Sequence, residues 1–391
     1  MRYKLKELGS VSTGNTPSKS NKSFYNSDDI GFVKPDILSD SSITESINVA
    51  EYVSENARSK ARMVKDGAVF VTCIGSIGKI GIADREFAFN QQINAIQPNN
   101  RVISKYLAYC MLYNKKVLQA IANAPVVPII NKSQFEEFEI EIEEDINEQI
   151  KIVEILDKVS RVLASRKAEL EKLDDLIKAR FVELFGDPSN NPNSFNVVTF
   201  NDCVEYMGDI GSNGANKVVV EHLDMKDEED YALMVRFLNF SKNDFTDDVK
   251  YVSKEAYDFF KKSQIFGGEL IICKIGSAGQ NYVMPYLNRP VSLGLNQIMV
   301  RINEKTIMPY LYQYLNTDYG KQLVAGCING AVTKSITKTE LKKIPVIVPP
   351  MELQEQFAAF IEQTDKSKVV VQKALDEAQL LFDSLMQKYF G

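Results

Sequence analysis

Two long stretches of the chain repeat apolar side chains at steps of three and four residues. They cover residues 145–184 and 351–389, and neither contains an internal proline or glycine. Such spacing over several heptads is typical of a coiled-coil seam. We therefore predict two helices, each about 60 Å long, that pack on each other; helices that pack only on their own domains are the alternative. The predicted seam residues are Leu156, Val159, Leu163, Leu170, Leu173, Ile177, Leu184, Phe357, Phe360, Thr364, Val371, Ala374, Ala378, Leu381 and Leu385.

Shorter apolar runs predict the elements of the remaining sequence. Residues 69–74 and 270–275 are apolar or β-branched runs bounded by glycine, which predicts buried strands. Residues 106–122 and 310–324 have helical spacing. Two α/β globular halves therefore alternate with the two long helices, which makes the fold class α+β.

The chain repeats itself at a distance of about 200 residues. Residues 67–78 read GAVFVTCIGSIG, and residues 268–279 read GELIICKIGSAG. Gln92 and Gln297 follow these two segments, and the pairs Glu148-Gln149 and Glu355-Gln356 open the two helical stretches. The order globular, helix, globular, helix allows the two halves to be arranged around an approximate two-fold axis.

The cysteines and the single histidine exclude several kinds of site. The five cysteines form no C-x-x-C pair, so a disulfide framework or a thiolate zinc site is not expected. His222 is the only histidine, which leaves no histidine-based zinc site at the usual spacings. The N-terminus does not resemble a signal peptide, and no apolar run is long enough to span a bilayer. We therefore expect a cytoplasmic location and no membrane partner.

Charge is unevenly distributed along the chain. The net charge is −6, which argues against a general coat for nucleic acid. Residues 1–135, however, carry 17 basic and 11 acidic side chains, and an acidic strip follows at 136–144. A mildly basic half could present one face to phosphates, although solvated surface charge explains the same distribution.

No catalytic motif emerges from the sequence. The segment from Gly75 to Lys79 departs from the phosphate-binding loop pattern, and the second copy has Gln280 in place of Lys79. Lys34-Pro35-Asp36 could begin a nuclease carboxylate cluster, but no E-x-K or D-x-K follows it on a predicted strand. Two similar halves without a catalytic centre suit a reader of a split DNA site, since each half can meet one segment of the duplex.

Several motifs, taken in order, resemble the specificity (S) subunits of type I restriction–modification systems, the HsdS family. The resemblance covers essentially the whole chain. Its carriers are the opening L-x-x-L-x-x-V-S-T-G with Pro17, the two I-G-S-x-G blocks, Gln92 and Gln297, Phe185-Gly186-Asp187-Pro188 with Asn191-Pro192, and the run from Pro345 into Glu352-Leu353-x-Glu355-Gln356. The acidic loop at 221–230 and Gln280 depart from this pattern, and they make the second domain less obviously suited to DNA.

The resemblance implies an architecture and a division of labour. It implies target-recognition domain 1 at 1–144, a central conserved helix at 145–187, target-recognition domain 2 at 188–350 and a C-terminal conserved helix at 351–391. The helices would pack antiparallel and set the distance between two domains that each read one half of an asymmetric bipartite target in double-stranded DNA. The chain would be a non-catalytic subunit without a cofactor or metal of its own. It would bind two methyltransferase (M) subunits, which hold S-adenosylmethionine, and the restriction (R) subunits, which use ATP and Mg²⁺.

Candidate DNA-binding residues are polar or basic side chains in loops beside the glycine turns. Such side chains read base edges or bind phosphates; the alternative is that the amides cap loops and brace the fold. The candidates are Asn15, Thr16, Lys34, Lys60, Arg62, Ser76, Lys79, Asn90 and Gln91 in the first half and Asn213, Asn216, Lys274, Ser277, Gln280, Asn281, Asn296, Lys334 and Lys338 in the second. Two other functions remain open: a tandem-repeat protein-interaction scaffold without DNA specificity, and a nuclease fused to a reader.

Overall fold

The computed structural model describes residues 1–122, 127–331 and 333–391. The chain divides into two compact units. Unit 1 comprises Met1–Ala168 and Gln372–Gly391, and unit 2 comprises Glu169–Val371. Each unit therefore contains one globular half and a part of each long helix.

The globular half of unit 1 is built from short strands and short helices, and the first long helix follows it. The strands are β1 Arg2–Lys4, β2 Gly9–Thr13, β3 Ile30–Val33, β4 Ile43–Thr44, β5 Tyr52–Val53, β6 Met63–Val64, β7 Val69–Thr72, β8 Ile80–Ile82, β9 Phe87–Phe89, β10 Ile93–Pro98 and β11 Glu139–Glu141. The helices described in this part of the chain are α1 Leu5–Leu8, α2 Ser104–Tyr113, α3 Lys115–Ile121, α4 Lys132–Glu136 and the long helix α5 Ile146–Phe185.

The globular half of unit 2 follows the same plan. Its strands are β12 Asn196–Thr199, β13 Val204–Gly208, β14 Ala232–Val235, β15 Lys250–Val252, β16 Gln264–Ile265, β17 Leu270–Cys273, β18 Asn281–Val283, β19 Val291–Leu293, β20 Gln297–Ile302, β21 Ile328–Asn329, β22 Ser335–Ile336 and β23 Pro345–Val348. Its helices are α6 Asn216–His222, α7 Phe237–Lys242, α8 Lys254–Phe259, α9 Met308–Asn316, α10 Asp318–Gly326, α11 Lys338–Leu341 and the long helix α12 Met351–Phe390.

The sheets of the two units have matching strand orders. One sheet runs β2-β10-β7-β8 in unit 1 and β13-β20-β17-β18 in unit 2, and β4 extends it in unit 1. A second sheet runs β5-β3-β9-β6 in unit 1 and β15-β14-β19-β16 in unit 2. The internal repeat predicted from sequence therefore extends to topology, and the predicted pair of similar α/β domains is confirmed.

The predicted strands are present, whereas each predicted short helix is interrupted. The stretch 106–122 divides into α2 and α3 at Asn114, whose Nδ2 donates to the carbonyl oxygen of Cys110 at 2.9 Å. The stretch 310–324 divides at Thr317, whose hydroxyl accepts from the N–H of Gly320 at 3.0 Å and caps α10. Hydrogen bonds of these capping side chains thus interrupt the helix where apolar spacing alone predicts a continuous one.

The two long helices pack together within each unit. In unit 1, Leu156 of α5 shares a core with Met386 and Phe390 near the end of α12. In unit 2, Phe181 near the end of α5 packs against Phe357 near the start of α12, with ring centroids 5.5 Å apart. The beginning of one helix meets the end of the other, so they run antiparallel, and the predicted mutual pair is confirmed. None of the helices in the described residues is long and apolar enough to cross a membrane.

One predicted seam residue is wrong. Leu381 is 52% exposed, and Phe382 contacts the core in its place, with its ring 6.3 Å from that of Tyr109. At this point of α12, the face that packs against the globular half is therefore shifted by one residue from the predicted seam.

A buried glutamine near the start of each long helix ties that helix to the globular half of its unit. The side-chain oxygen of Gln149 accepts from the N–H of Ile103 at 3.0 Å, and that of Gln354 accepts from the N–H of Ile307 at 3.1 Å. Both glutamines are fully buried, whereas Gln356 is exposed. The structural partner of Gln149 is thus Gln354, and the sequence alignment with Glu355-Gln356 is two residues out of register.

Candidate nucleic-acid interface

The two I-G-S-x-G blocks form the turns β7–β8 and β17–β18. Gly75 and Gly276 have φ of +74° and +83°, a region that favours glycine, and a Cβ atom on either would meet nothing within 4 Å. Both glycines therefore lie at an open surface where another molecule can approach the backbone closely.

The serines of these turns differ in exposure but not in bonding. Ser76 is exposed and Ser277 is half-buried. Within the described residues neither hydroxyl has a hydrogen-bond partner, so both are free to contact a ligand. Lys79, at the end of the first turn, lies 3.5 Å from the carboxylate of Asp40.

Four predicted residues of unit 1 line one cleft. The Thr16 hydroxyl donates to Gln91 Oε1 at 2.6 Å, and Asn90 Nδ2 donates to Thr16 at 3.4 Å. Lys34 lies in the same cleft and forms an ion pair with Glu51. The cleft has a volume of about 240 Å³, and its other lining residues are Lys19, Tyr25 and Phe32.

Three further predicted residues of unit 1 form a second group. Asn15 Oδ1 accepts from the N–H of Arg62 at 2.5 Å, and its Nδ2 donates to the carbonyl oxygen of Lys60 at 2.6 Å. Asn15 directly precedes Thr16 in the chain, so this group adjoins the cleft.

In unit 2, two predicted lysines converge on one buried carboxylate. Lys274 and Lys338 donate to Asp209 at 2.9 Å and 2.8 Å, and Lys338 also donates to the Ser212 hydroxyl at 2.9 Å. The Asp209 side chain is only 7% exposed. Burial alone would raise the pKa of Asp209, but the hydrogen bonds from Lys338, Lys274 and Ser212 outweigh burial and lower the pKa to about 2. These lysines are therefore partly committed to the fold.

Asn213 belongs to the same network. Its Nδ2 donates to the hydroxyl of Ser263 at 2.7 Å, and that hydroxyl donates to the carbonyl oxygen of Asp209 at 3.2 Å. The structure thus brings Asn213, Lys274 and Lys338 together.

The remaining candidates of unit 2 lie outside this network. Asn281 accepts from Asn316 of α9 at 2.7 Å, and Gln280 accepts from the Tyr282 hydroxyl at 3.1 Å. Three candidates are exposed and, among the described residues, have no side-chain hydrogen bond: Asn216, Asn296 and Lys334.

The pairing of Gln92 with Gln297 from the sequence is wrong by one residue. The N–H of Cys73 bonds to the carbonyl oxygen of Gln92, and the N–H of Lys274 bonds to that of Asn296. Because Cys73 and Lys274 occupy the same position before the turn, the partner of Gln92 is Asn296. Gln297 lies within β20, is 1% exposed, and accepts from the N–H of Gly294 at 3.2 Å.

Sequence reasoning missed the acidic partners of the candidate lysines. Asp209 is separated from Lys274 by 65 residues and from Lys338 by 129. Asp40 and Glu51 occupy polar segments with no distinguishing pattern. Only the three-dimensional arrangement identifies them.

Acidic residues, cysteines and the histidine are the side chains that could hold a metal or act as nucleophiles. The described residues contain no group of three or more His, Cys, Asp or Glu side chains that could hold a metal ion. Burial raises the pKa of the Cys73 and Cys273 thiols to about 12, so both are neutral at neutral pH. The His222 ring stacks on Phe259 with a centroid distance of 3.9 Å.

Comparison with known proteins identifies the family. The model of the type I restriction modification DNA specificity domain matches residues 1–174 and 207–378. The chain belongs to this family. It is accordingly a type I DNA specificity subunit, which is not itself an enzyme.

Curated relatives include two specificity subunits. The chain is 22% identical to the type I restriction enzyme MjaIX specificity subunit of Methanocaldococcus jannaschii, over 98% of this chain and 91% of that protein. It is 32% identical over 140 residues to the HindI specificity subunit of Haemophilus influenzae, a match that covers 35% of this chain and 30% of that protein.

Two solved structures share the fold of this specificity subunit. The S subunit of M. genitalium covers the whole chain with 14% identity and a TM-score of 0.55, over 96% of its own length. The second structure comes from work on the complex assembly and conformational transition of the type I R-M system. It also covers the whole chain, with 15% identity and a TM-score of 0.54, over 97% of its own length.

Proposed function

We propose that each unit of this specificity subunit reads one half of an asymmetric, bipartite DNA target. The observation that carries the proposal is that the two domains share a fold but differ in their surface side chains. The units have matching strand orders, and each has a glycine turn whose serine hydroxyl lacks a hydrogen-bond partner among the described residues, while the polar side chains around the two turns differ. Two domains with the same strand order but different surface side chains are suited to bind two different half-sites on one duplex.

The candidate side chains support direct reading of bases. Asn90, Gln91 and Thr16 are types that recognise base edges, and they line a single cleft in unit 1. Asn90 and Thr16 are bonded within the cleft, whereas Gln91 is exposed and its Nε2 has no hydrogen-bond partner among the described residues. In unit 2, Ser277 lies in the turn between β17 and β18 and Asn296 in the turn between β19 and β20, and both have free side chains among the described residues. Lysines near these groups would bind phosphates, which positions the protein without specifying sequence.

The long helices would set the spacing between the half-sites and bind the methyltransferase subunits. Each runs for 40 residues, and both have apolar side chains that remain exposed. These include Val162, Leu176, Val369, Val370 and Leu380, which are between 45% and 70% exposed. Exposed apolar side chains on these helices would suit contacts with other chains, since contiguous apolar surface is typical of interaction sites. S-adenosylmethionine, ATP and Mg²⁺ would be held by the M and R partners.

Methylation mapping tests this function. The chain is expressed with its methyltransferase subunits in a host that lacks DNA methylation, and modified bases are mapped across the genome. We expect one split sequence with a fixed gap. Methylation of no defined sequence would contradict the proposal and would favour an interaction scaffold, whereas cleavage by the purified chain alone would favour a nuclease.

A further inference from the structure

An asparagine anchors a basic segment in each unit. In unit 2, Asn213 Oδ1 accepts from the N–H of Lys262 at 2.9 Å, and its Nδ2 donates to the adjacent Ser263 hydroxyl. In unit 1, Asn15 Oδ1 accepts from the N–H of Arg62, and its Nδ2 donates to the carbonyl oxygen of Lys60. In both units an asparagine amide therefore holds the segment before an edge strand, although the bonded N–H is shifted by one residue between the units and neither the asparagines nor the segments lie in a repeated sequence motif.

The anchored segments occupy equivalent places in the fold. Residues 60–62 directly precede β6, and residues 261–263 directly precede β16. These two strands pair with β9 and β19, at the edges of corresponding sheets. The asparagines come from the loops that follow β2 and β13. Each connection thus fixes an edge segment to a loop that belongs to the candidate interface.

The basic side chains on these segments are available to a ligand. Lys60, Arg62, Lys261 and Lys262 are all exposed. In the described residues, none of the four side chains has an ion pair or a hydrogen bond. Lys274 contrasts with them, because its charge is already offset by Asp209.

The asparagine amides are largely committed to these segments. Asn15 uses both its oxygen and its nitrogen on the segment, and Asn213 does the same while also donating to the carbonyl oxygen of Ile210 at 3.0 Å. A committed amide is poorly placed to read a base edge. A segment with a fixed backbone, in contrast, presents its cations with less loss of entropy on binding.

We propose that Lys261 with Lys262, and Lys60 with Arg62, bind backbone phosphates of the DNA duplex, and that Asn213 and Asn15 are positioning residues. The proposal rests on the proposed function and deepens it. Lys261 and Lys262 become DNA contacts that the sequence did not suggest. The asparagines, which sequence reasoning placed among the base readers, act instead through the segments that they anchor.

Salt dependence of DNA binding tests the proposal. The full chain with its methyltransferase subunits is titrated with a fluorescent random-sequence duplex at a series of NaCl concentrations. Each phosphate contact contributes about 0.9 to the slope of log affinity against log salt, so K261A/K262A is expected to lower the slope by about 1.8. The variant K60A/R62A gives an independent measurement of about the same size in unit 1.

A matched control separates contact from general charge. The variant K226A/K254A removes two exposed lysines of unit 2 that pair with Asp230 and Asp258 at 2.5 Å and 2.6 Å. Its slope is expected to remain that of the unaltered chain. An equal fall in K226A/K254A and K261A/K262A would overturn the proposal, and so would an unchanged slope in K261A/K262A.

The asparagine is tested by N213A, which keeps both lysines. We expect its slope to fall part of the way towards that of K261A/K262A, and the target in a methylation map to stay the same in all these variants. A changed target would make these residues base readers and overturn the assignment. Absence of salt-dependent binding by the unaltered chain would instead contradict the proposed function itself.

Discussion

The two units share a strand order, but their lysine–aspartate pairs differ. In unit 2, Lys274 and Lys338 meet on Asp209, whose side chain is 7% exposed. In unit 1, Lys79 and Lys115 meet on Asp40, whose side chain is 69% exposed. The carboxylate of the first arrangement is buried and that of the second lies at the surface, although Lys79 and Lys115 are themselves less exposed than Lys274 and Lys338. Strand order is therefore duplicated, while the role of a given lysine is not.

Removal of the shared carboxylate should have the largest effect in unit 2. The variant D209A leaves two partly buried ammonium groups without their partner, which is expected to destabilise unit 2 by about 3 kcal/mol. D40A removes a carboxylate that is 69% exposed, so solvent screens its pairs with Lys79 and Lys115 and the cost should be less than about 1 kcal/mol. Hydrogen exchange of the β17 and β7 amides measures each unit separately. Equal losses in the two variants would remove the distinction between the units.

Acid should reveal the same difference. The pKa of Asp209 is about 2 in the folded chain, below its ordinary value of 3.8. A lowered pKa means that the carboxylate stabilises unit 2 above pH 4 and that this contribution is lost as the pH falls from 4 towards 2. The loss should be smaller than in D209A because a protonated carboxyl still accepts hydrogen bonds. In D209N the stability of unit 2 should vary less over this range; an unchanged pH profile would contradict the interaction.

The buried glutamines should behave alike in the two units. Q149L and Q354L each leave a buried N–H and carbonyl oxygens without partners, which should cost about 2 kcal/mol. Q356L replaces an exposed side chain and serves as the control. Urea unfolding measures the three variants. If Q356L were as damaging as Q354L, the structural register of the two helices would be wrong.

The smallest effect is expected at the turn glycines. G75A and G276A place a Cβ in open space, so only the strained positive φ contributes, about 1 kcal/mol in each unit. G279A adds a clash with Val324 at 2.8 Å and should cost more. Thermal unfolding compares the three variants. A stabilised G276A would show that the turn does not require glycine.

The long helices and the buried strands were predictable from sequence because the patterns that specify them are periodic and local. Apolar spacing predicted both long helices within a residue or two of their ends, and glycine-bounded runs predicted β7 and β17. Register was harder, because a shift of one residue leaves the composition unchanged. The partner of Gln92 in the second half was therefore corrected only by backbone hydrogen bonds, and that of Gln149 only by hydrogen bonds of the glutamine side chains.

The candidate interface was less predictable, since its contacts join residues far apart in the chain. A polar residue type indicates what a side chain can bind but not whether it is already bound. Lys34 and Lys338 have acidic partners, while Lys60 has none among the described residues. Lys261 and Lys262 were not predicted because they lie outside the glycine turns beside which the candidate residues were sought.

Exchange of one globular half tests the central claim most directly. Residues 1–144 are replaced by the corresponding segment of a specificity subunit with a different target, and the methylated sequence is mapped for the hybrid with its methyltransferase subunits. Independent reading by the two units predicts that one half of the target changes while the other half and the gap remain. A hybrid in which both halves change together, or in which neither changes, would contradict it.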